Sequence, residues 1–241
     1  MNQFSRTELL IGEDGLAKLK NSKICIFGVG GVGGNCIESL ARCGVGHFVL
    51  VDNDKVSLTN INRQVIASLD TIDQYKVDVM KERILTINKD AQVEVHKIFY
   101  LPSTSSFLDF NDYSYVIDAI DTVTAKIDII CKCKELNVPI ISAMGCGNKL
   151  NPTDLKVGDI YSTSTDPLCK VMRKELKARG IKSLKVVYST EQPLKVIKNS
   201  SYLEELSQSK KKSIPGSISF VPSVAGYIIA SEVVKDLIKN N

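Results

Sequence analysis

An apolar run, Ile24-Cys25-Ile26-Phe27, ends in the glycine cluster Gly28-Val29-Gly30-Gly31-Val32-Gly33-Gly34, and a helical pattern through Ile37 and Leu40 follows. That order is strand, tight turn, helix, and it restricts the chain more than any other stretch. Gly28 permits the turn, Gly30 lets backbone approach a phosphate, and Gly33 lets the helix pack close to the strand. The unpaired N–H groups at the helix start then face an anion. The spacing Gly28-x-Gly30-x-x-Gly33 would also serve a turn that only packs a helix on a sheet. What points to a nucleotide is the context, with Asp52 closing the next strand, where a ribose hydroxyl is received.

Hydrophobic periodicity predicts strands over 23–27, 47–51, 93–98, 115–119 and 139–143, with helices from the glycine turn to Cys43, over 73–88 and over 124–136. A short helix is expected over 103–110. Strands alternating with helices mean a parallel sheet with right-handed crossovers. Ahead of it, residues 5–20 read as a helix with Leu9, Leu10, Leu16 and Leu19 inward and a break at Gly12 or Gly15. After Met144-Gly145 the pattern changes. Strands are expected over 155–161 and 184–188, with a helix over 168–179 between them. Residues 198–213 are lysine-rich and polar, a mobile loop by composition, and Pro222 opens a last helix ending near Ile238. The fold class is therefore α/β: a Rossmann-like, mostly parallel sheet with helices on both faces and an added C-terminal subdomain. Residues 1–241 form one domain: a nucleotide-binding core over 1–144, a substrate-facing subdomain over 145–220, and a C-terminal helix over 221–241 that returns to the core.

Net charge is +4 over 241 residues, which permits a polyanionic partner without requiring one. The first residues lack the apolar core of a signal peptide, and the most apolar long stretch, 219–234, contains Pro222 and Glu232. No membrane association is expected. Seven cysteines, an odd number, read as free thiols in a reducing cytoplasm. No C-x-x-C pair occurs, so structural zinc is not expected.

The chemistry depends on what surrounds the glycine turn. Asp52 alone suits NAD as well as ATP. Arg63 and Lys76 supply cations for phosphate oxygens, Arg as a planar fork and Lys as a point charge. Asp121, just past the strand 115–119, can hold Mg²⁺ against those oxygens. Singly, Arg63 and Lys76 read as surface charges and Asp121 as a helix cap. Together at the carboxyl edge they describe a triphosphate site better than a nicotinamide site.

Gly28-x-Gly30-Gly31-x-Gly33, Asp52-x-Asp54-x-Val56, Asn60-x-Asn62-Arg63-Gln64, Lys76 and Asp118-Ala119-Ile120-Asp121 resemble the adenylating core shared by ubiquitin-activating enzymes and their bacterial relatives of molybdopterin and thiazole synthesis. The resemblance covers roughly residues 4–145. It implies that Gly28, Gly30, Gly31, Gly33, Asp52 and Asp54 bind the nucleotide, with Asp52 on the ribose. Asn62, Arg63 and Lys76 then lie on the phosphates, Asp121 on Mg²⁺, and Arg6 reaches the ATP of a partner subunit in a homodimer. The catalytic set so implied is Arg6, Arg63, Lys76 and Asp121. A substrate carboxylate attacks the α-phosphate and pyrophosphate leaves.

The second half resembles a narrower group, the tRNA threonylcarbamoyladenosine dehydratases. The stretches that carry this resemblance begin with Met144-Gly145-Cys146-Gly147-Asn148-Lys149-Leu150-Asn151-Pro152-Thr153 and Asp159-Ile160-Tyr161-Ser162-Thr163. Asp166-Pro167-Leu168-Cys169-Lys170-Val171-Met172-Arg173-Lys174-Glu175-Leu176 and Val187-Tyr188-Ser189-Thr190-Glu191-x-Pro193 extend it. It implies ATP-dependent activation of a threonyl carboxylate on tRNA, then closure to a cyclic oxazolone. It also implies a monovalent cation (K⁺ or Na⁺) and a neighbouring cysteine desulfurase or sulfur-acceptor system, neither of which maps onto residues here. The other reading is an adenylyltransferase for the C-terminal glycine of a ubiquitin-like sulfur carrier. A third is a non-catalytic or NAD-binding module.

Independently of any resemblance, Lys170, Arg173, Lys174 and Lys177 fall at i, i+3, i+4, i+7, and Arg179 lies close behind. Such a stripe can track a tRNA phosphate backbone, or it can be a solvated helix face. Cys169, in the first turn of that helix, and Cys146, past the strand ending at Ala143, are the two thiols placed for thioester chemistry. A helix N-terminus and nearby lysines can lower a thiol pKa. The intramolecular ring closure needs no thioester.

Overall fold

The computed structural model describes residues 1–208 and 213–239. In chain order the elements are α1 (Ser5–Asn21), β1 (Lys23–Phe27), α2 (Gly31–Cys43), β2 (His47–Val51), α3 (Lys76–Ile87), β3 (Gln92–His96), β4 (Tyr115–Asp118), α4 (Val123–Glu135), β5 (Ile140–Ala143), β6 (Leu155–Asp159), α5 (Pro167–Ala178), β7 (Lys185–Ser189), α6 (Ser200–Gln208) and α7 (Phe220–Lys239). Short 3-10 turns link several of them. The strands form one sheet in the order β3-β2-β1-β4-β5-β7-β6. All neighbours are parallel except β6, which runs antiparallel to β7 at the edge. The Rossmann-like expectation is met, and residues 145–220 add to the same sheet through β7 and β6.

Strand period sorts the core into two layers. Ile24 and Ile26 of β1 face one side, with Leu19, Ile37, Leu40, Met80, Ile84, Ile229 and Val233 from α1, α2, α3 and α7. Cys25 and Phe27 face the other, with Ile127, Ile130, Met172 and Leu176 from α4 and α5. Chain order reverses between β1 and β4, the topological switch point where α/β sheets bind ligands beyond their carboxyl ends. Among the described residues, no helix is long and apolar enough to cross a membrane.

Three expectations need correction. In α1 only Leu19 is fully buried, whereas Leu9 and Leu10 are 86% and 88% exposed. The helix kinks at Gly12, where φ is +73°, so Leu9 and Leu10 project outward while Ile11 still packs on the core. The third helix starts at Lys76, three residues late, because Asp73 takes a left-handed φ of +65°. The polar stretch 198–213 was expected to be a loop, but α6 occupies Ser200–Gln208 within it. Its mean hydropathy hides an amphipathic repeat. Residues 209–212 of that stretch lie outside the described residues.

Helix α7 crosses α2 closely, and Gly226 is the reason. A Cβ there would lie 2.4 Å from the Val32 carbonyl oxygen. Pro222 of α7 likewise abuts Gly31, the first residue of α2. The last helix thus braces the start of the helix that follows the glycine turn. Gly226→Ala is expected to lower stability by about 1–3 kcal/mol through overpacking, read as a reduced urea midpoint at unchanged slope.

Candidate active site

The turn after β1 is held from both sides. Gly28 has φ +91°, its N–H donates to the Val51 carbonyl (2.9 Å), and a Cβ on it would sit 2.7 Å from the Ala119 oxygen. A Cβ on Gly33 would sit 1.9 Å from the Gly28 oxygen, so the first turn of α2 lies directly on the strand end. Gly30 is the N-cap of α2, with no side-chain cap of its own. Open N–H groups at such a turn can receive an anion.

Asp52 ties β2 to this turn. Its Oδ2 accepts from Val29 N–H at 2.7 Å and its Oδ1 from Asp54 N–H at 2.8 Å. Burial pushes its pKa up, while Lys76 and those two backbone donors oppose the shift. Each oxygen keeps a further acceptor site, which suits a ribose diol. Lys76 is buried, and its Nζ donates to Asp54 Oδ2 at 2.7 Å. Asp54 therefore holds the ammonium in place from the solvent side, a role the sequence alone did not suggest.

Asn62 and Arg63 close the mouth of α2. Arg63 Nη1 donates to the Thr59 carbonyl (2.7 Å) and to Asn62 Oδ1 (2.8 Å), and Asn62 Nδ2 donates to the Ser217 carbonyl (3.0 Å). Burial pulls the Arg63 pKa down, with Glu205 of α6 opposing. The sequence reading quoted Gln64 but assigned it nothing. It is buried, its Nε2 lies 3.9 Å from where a Gly30 Cβ would be, and its Oε1 has no hydrogen-bond partner among the described residues. A buried amide oxygen with no partner beside a phosphate-type loop fits a site made for a polar ligand.

Across the switch point, Asp118 and Asp121 have different surroundings. Asp118 is fully buried, 2.8 Å from Lys126 Nζ, and accepts from Ser142 Oγ. Lys126 Nζ also donates to the Ala143 carbonyl (2.8 Å) and the Ile120 carbonyl (3.2 Å), so it ties the ends of β4 and β5 together. Asp121 is exposed beyond that tie, at the carboxyl edge. The N-cap position of α4 is Thr122, one residue further on. Among the described residues, no three His, Cys, Asp or Glu side chains gather as a metal cage. A single edge carboxylate fits Mg²⁺, which completes its shell with phosphate oxygens and water.

The second half reaches the same edge. Gly145 lies against Asp166, the N-cap of α5, whose side chain accepts from Cys169 N–H at 2.9 Å. On α5, Lys170, Lys174 and Lys177 are exposed. Arg173 leaves the expected stripe: its Nη1 donates to the Thr163 carbonyl (2.9 Å) and also to the Thr163 hydroxyl. Arg179 is paired with Glu175 at 2.8 Å. Cys169 is not the low-pKa thiol that a helix N-terminus can give. Burial pushes both the Cys146 and the Cys169 thiol up to about 12, with Asp166 adding to each shift. Arg6 is exposed on α1, two residues after Phe4, which packs by Gly44 at the far end of α2 from the glycine turn.

Comparisons with known proteins follow the same lines. The ThiF family model matches residues 4–241. The tRNA threonylcarbamoyladenosine dehydratase of Bacillus subtilis (strain 168) is 46% identical over an alignment covering 100% of this chain and 96% of that protein. The crystal structure of the Escherichia coli tRNA N6-threonylcarbamoyladenosine dehydratase, TcdA, in complex with AMP superposes with a TM-score of 0.87 at 32% identity, covering 98% of this chain and 93% of that one. Its complex with ATP gives 0.84 at the same identity and coverage. Fold, glycine turn and full-length similarity agree, and the chain belongs to the ThiF family, in the branch of the tRNA threonylcarbamoyladenosine dehydratases.

Proposed function

We propose that this protein uses ATP to dehydrate threonylcarbamoyladenosine in tRNA to its cyclic oxazolone form. The observation that carries this reading is one shared edge. The glycine turn, Asp52, Lys76 and Asp121 lie at the carboxyl ends of the same sheet as the segments 144–153 and 166–176, which resemble the dehydratases. The threonyl carboxylate oxygen attacks the α-phosphorus of ATP and pyrophosphate departs. The carbamoyl group then closes on the activated carbonyl, losing a proton and releasing AMP, so that the tRNA loses one water.

Gly30 leaves room for the phosphates, Gly28, Gly31 and Gly33 set the turn that presents it, and Asp52 receives the ribose. Asn62, Arg63 and Lys76 meet the charge that develops on the departing pyrophosphate, so catalysis is mostly positioning and electrostatics. Gln64 adds a buried polar contact beside Gly30. Asp121 would hold Mg²⁺, which neutralises phosphate charge when bound. Arg6 acts across a homodimer, and the exposed Leu9 and Leu10 of α1 are the apolar surface a second copy would cover. The resemblance extends to a monovalent cation and a sulfur-acceptor neighbour, neither assigned to residues, and the free thiols suit a cytoplasmic setting.

Incubation with modified tRNA, ATP and Mg²⁺ should yield AMP and an anticodon-loop nucleoside lighter by one water, detected by mass analysis. Asp121→Ala should abolish both products with the fold intact by circular dichroism. Pyrophosphate exchange driven by a sulfur-carrier protein instead of by tRNA would favour the adenylyltransferase reading. Lys170→Glu, Lys174→Glu and Lys177→Glu combined should weaken tRNA binding at least about tenfold at 0.15 M salt and flatten its salt dependence, with ATP affinity unchanged in calorimetry. Because both thiols stay protonated at neutral pH, Cys146→Ala and Cys169→Ser should each keep turnover within about threefold of wild type. A trapped thioester would contradict this.

A further inference from the structure

Three stretches of the second half, around 144–153, 166–176 and 187–193, are separated in sequence. They converge on one buried ionic cluster. Lys149 Nζ donates to the Glu191 carbonyl at 2.8 Å and stands 3.8 Å from Asp166 Oδ2, with the two side chains 1% and 2% exposed. Asp166 spends its other oxygen on the Cys169 N–H of α5. Glu191 turns its carboxylate the other way, accepting from Leu150 N–H (3.0 Å) and Asn151 N–H (2.9 Å). The contact leaves no slack: a Cβ on Gly145 would fall 2.9 Å from Asp166 Oδ2. Thr165, just before the cap, holds a left-handed φ of +69°.

Burying a lysine and a carboxylate is costly, and an apolar pair would often hold such a junction as well. What the ionic cluster adds is direction. It links the turn that leaves β5 at the adenylation edge to the first residue of the lysine-bearing helix, and links both to the loop after β7. We infer that Lys149, Asp166 and Glu191 are positioning residues that set the tRNA-carrying helix α5 in register with the adenylation site. This rests on the tRNA reading above and deepens it. The three residues need touch neither ATP nor tRNA. They fix where a threonyl carboxylate arrives relative to the α-phosphate once the tRNA lies along α5. Misplacement by about 1 Å can cost about a hundredfold in rate.

The test pairs Lys149→Met with Asp166→Asn in one protein. Both charges go together, and Asn still caps the helix. Expected are ATP affinity and tRNA affinity within about twofold of wild type, with single-turnover AMP formation from the bound tRNA about a hundredfold slower. Glu191→Gln, at a half-buried position, serves as a second variant that does not depend on the buried pair, with an expected loss of about tenfold. A rate within about threefold of wild type in both variants would overturn the proposal, as would a loss of tRNA affinity matching the loss of rate. Wild-type protein that makes no AMP with modified tRNA would instead remove the tRNA reading itself.

Discussion

The close approach of Gly33 to Gly28 governs the rest of this structure. A single methyl group at residue 33 would fall 1.9 Å from the Gly28 carbonyl oxygen. That absence of a side chain lets α2 begin directly on the end of β1, with its N–H groups open at the sheet edge. Two further contacts keep the arrangement in place. Asp52 binds Val29 N–H from β2, and Pro222 packs on Gly31 from α7. Neighbouring strands and helices thus hold this helix N-terminus still.

Around that turn, charges are held by other charges. Lys76 is pinned by Asp54, Lys126 by Asp118 and by the Ile120 and Ala143 carbonyls, and Lys149 stands beside Asp166. Each of these lysines lies beyond or beneath the carboxyl ends of the central strands. A buried ammonium without such partners would lose its proton or unfold its surroundings. The edge is therefore a set of preorganised charges, which is what adenylation asks of a protein that contributes little covalent chemistry. Asp121 lies at this edge while Asp118, three residues earlier, is consumed by Lys126 and Ser142.

Much of this was legible before any coordinates. The glycine spacing, Asp52, Lys76 and the apolar strands each follow from local rules of turn, cap and period. They appear in the structure where those rules put them. Local rules were less useful where the deciding partner is distant. Leu9 and Leu10 have core-type spacing, yet they project from the chain because the kink at Gly12 turns them away from Leu19. Arg173 fits a basic stripe by its number, yet Thr163 takes its guanidinium. Cys169 sits at a helix N-terminus, which favours a thiolate, but burial and Asp166 outweigh that and hold the proton.

The sequence by itself determined a parallel α/β sheet, a phosphate-type turn at its switch point and the residue types for triphosphate chemistry. Those depend on backbone sterics and on periods of two to four residues. Only the tertiary structure decided which carboxylate is spent on a lysine, which arginine is turned inward, and that the Gln64 Oε1 has no partner among the described residues. It also decided that Lys149, Asp166 and Glu191 meet. The reason is physical. Charge state and hydrogen-bond capacity depend on what lies within about 4 Å, and in a doubly wound sheet those neighbours come from strands and helices tens of residues apart.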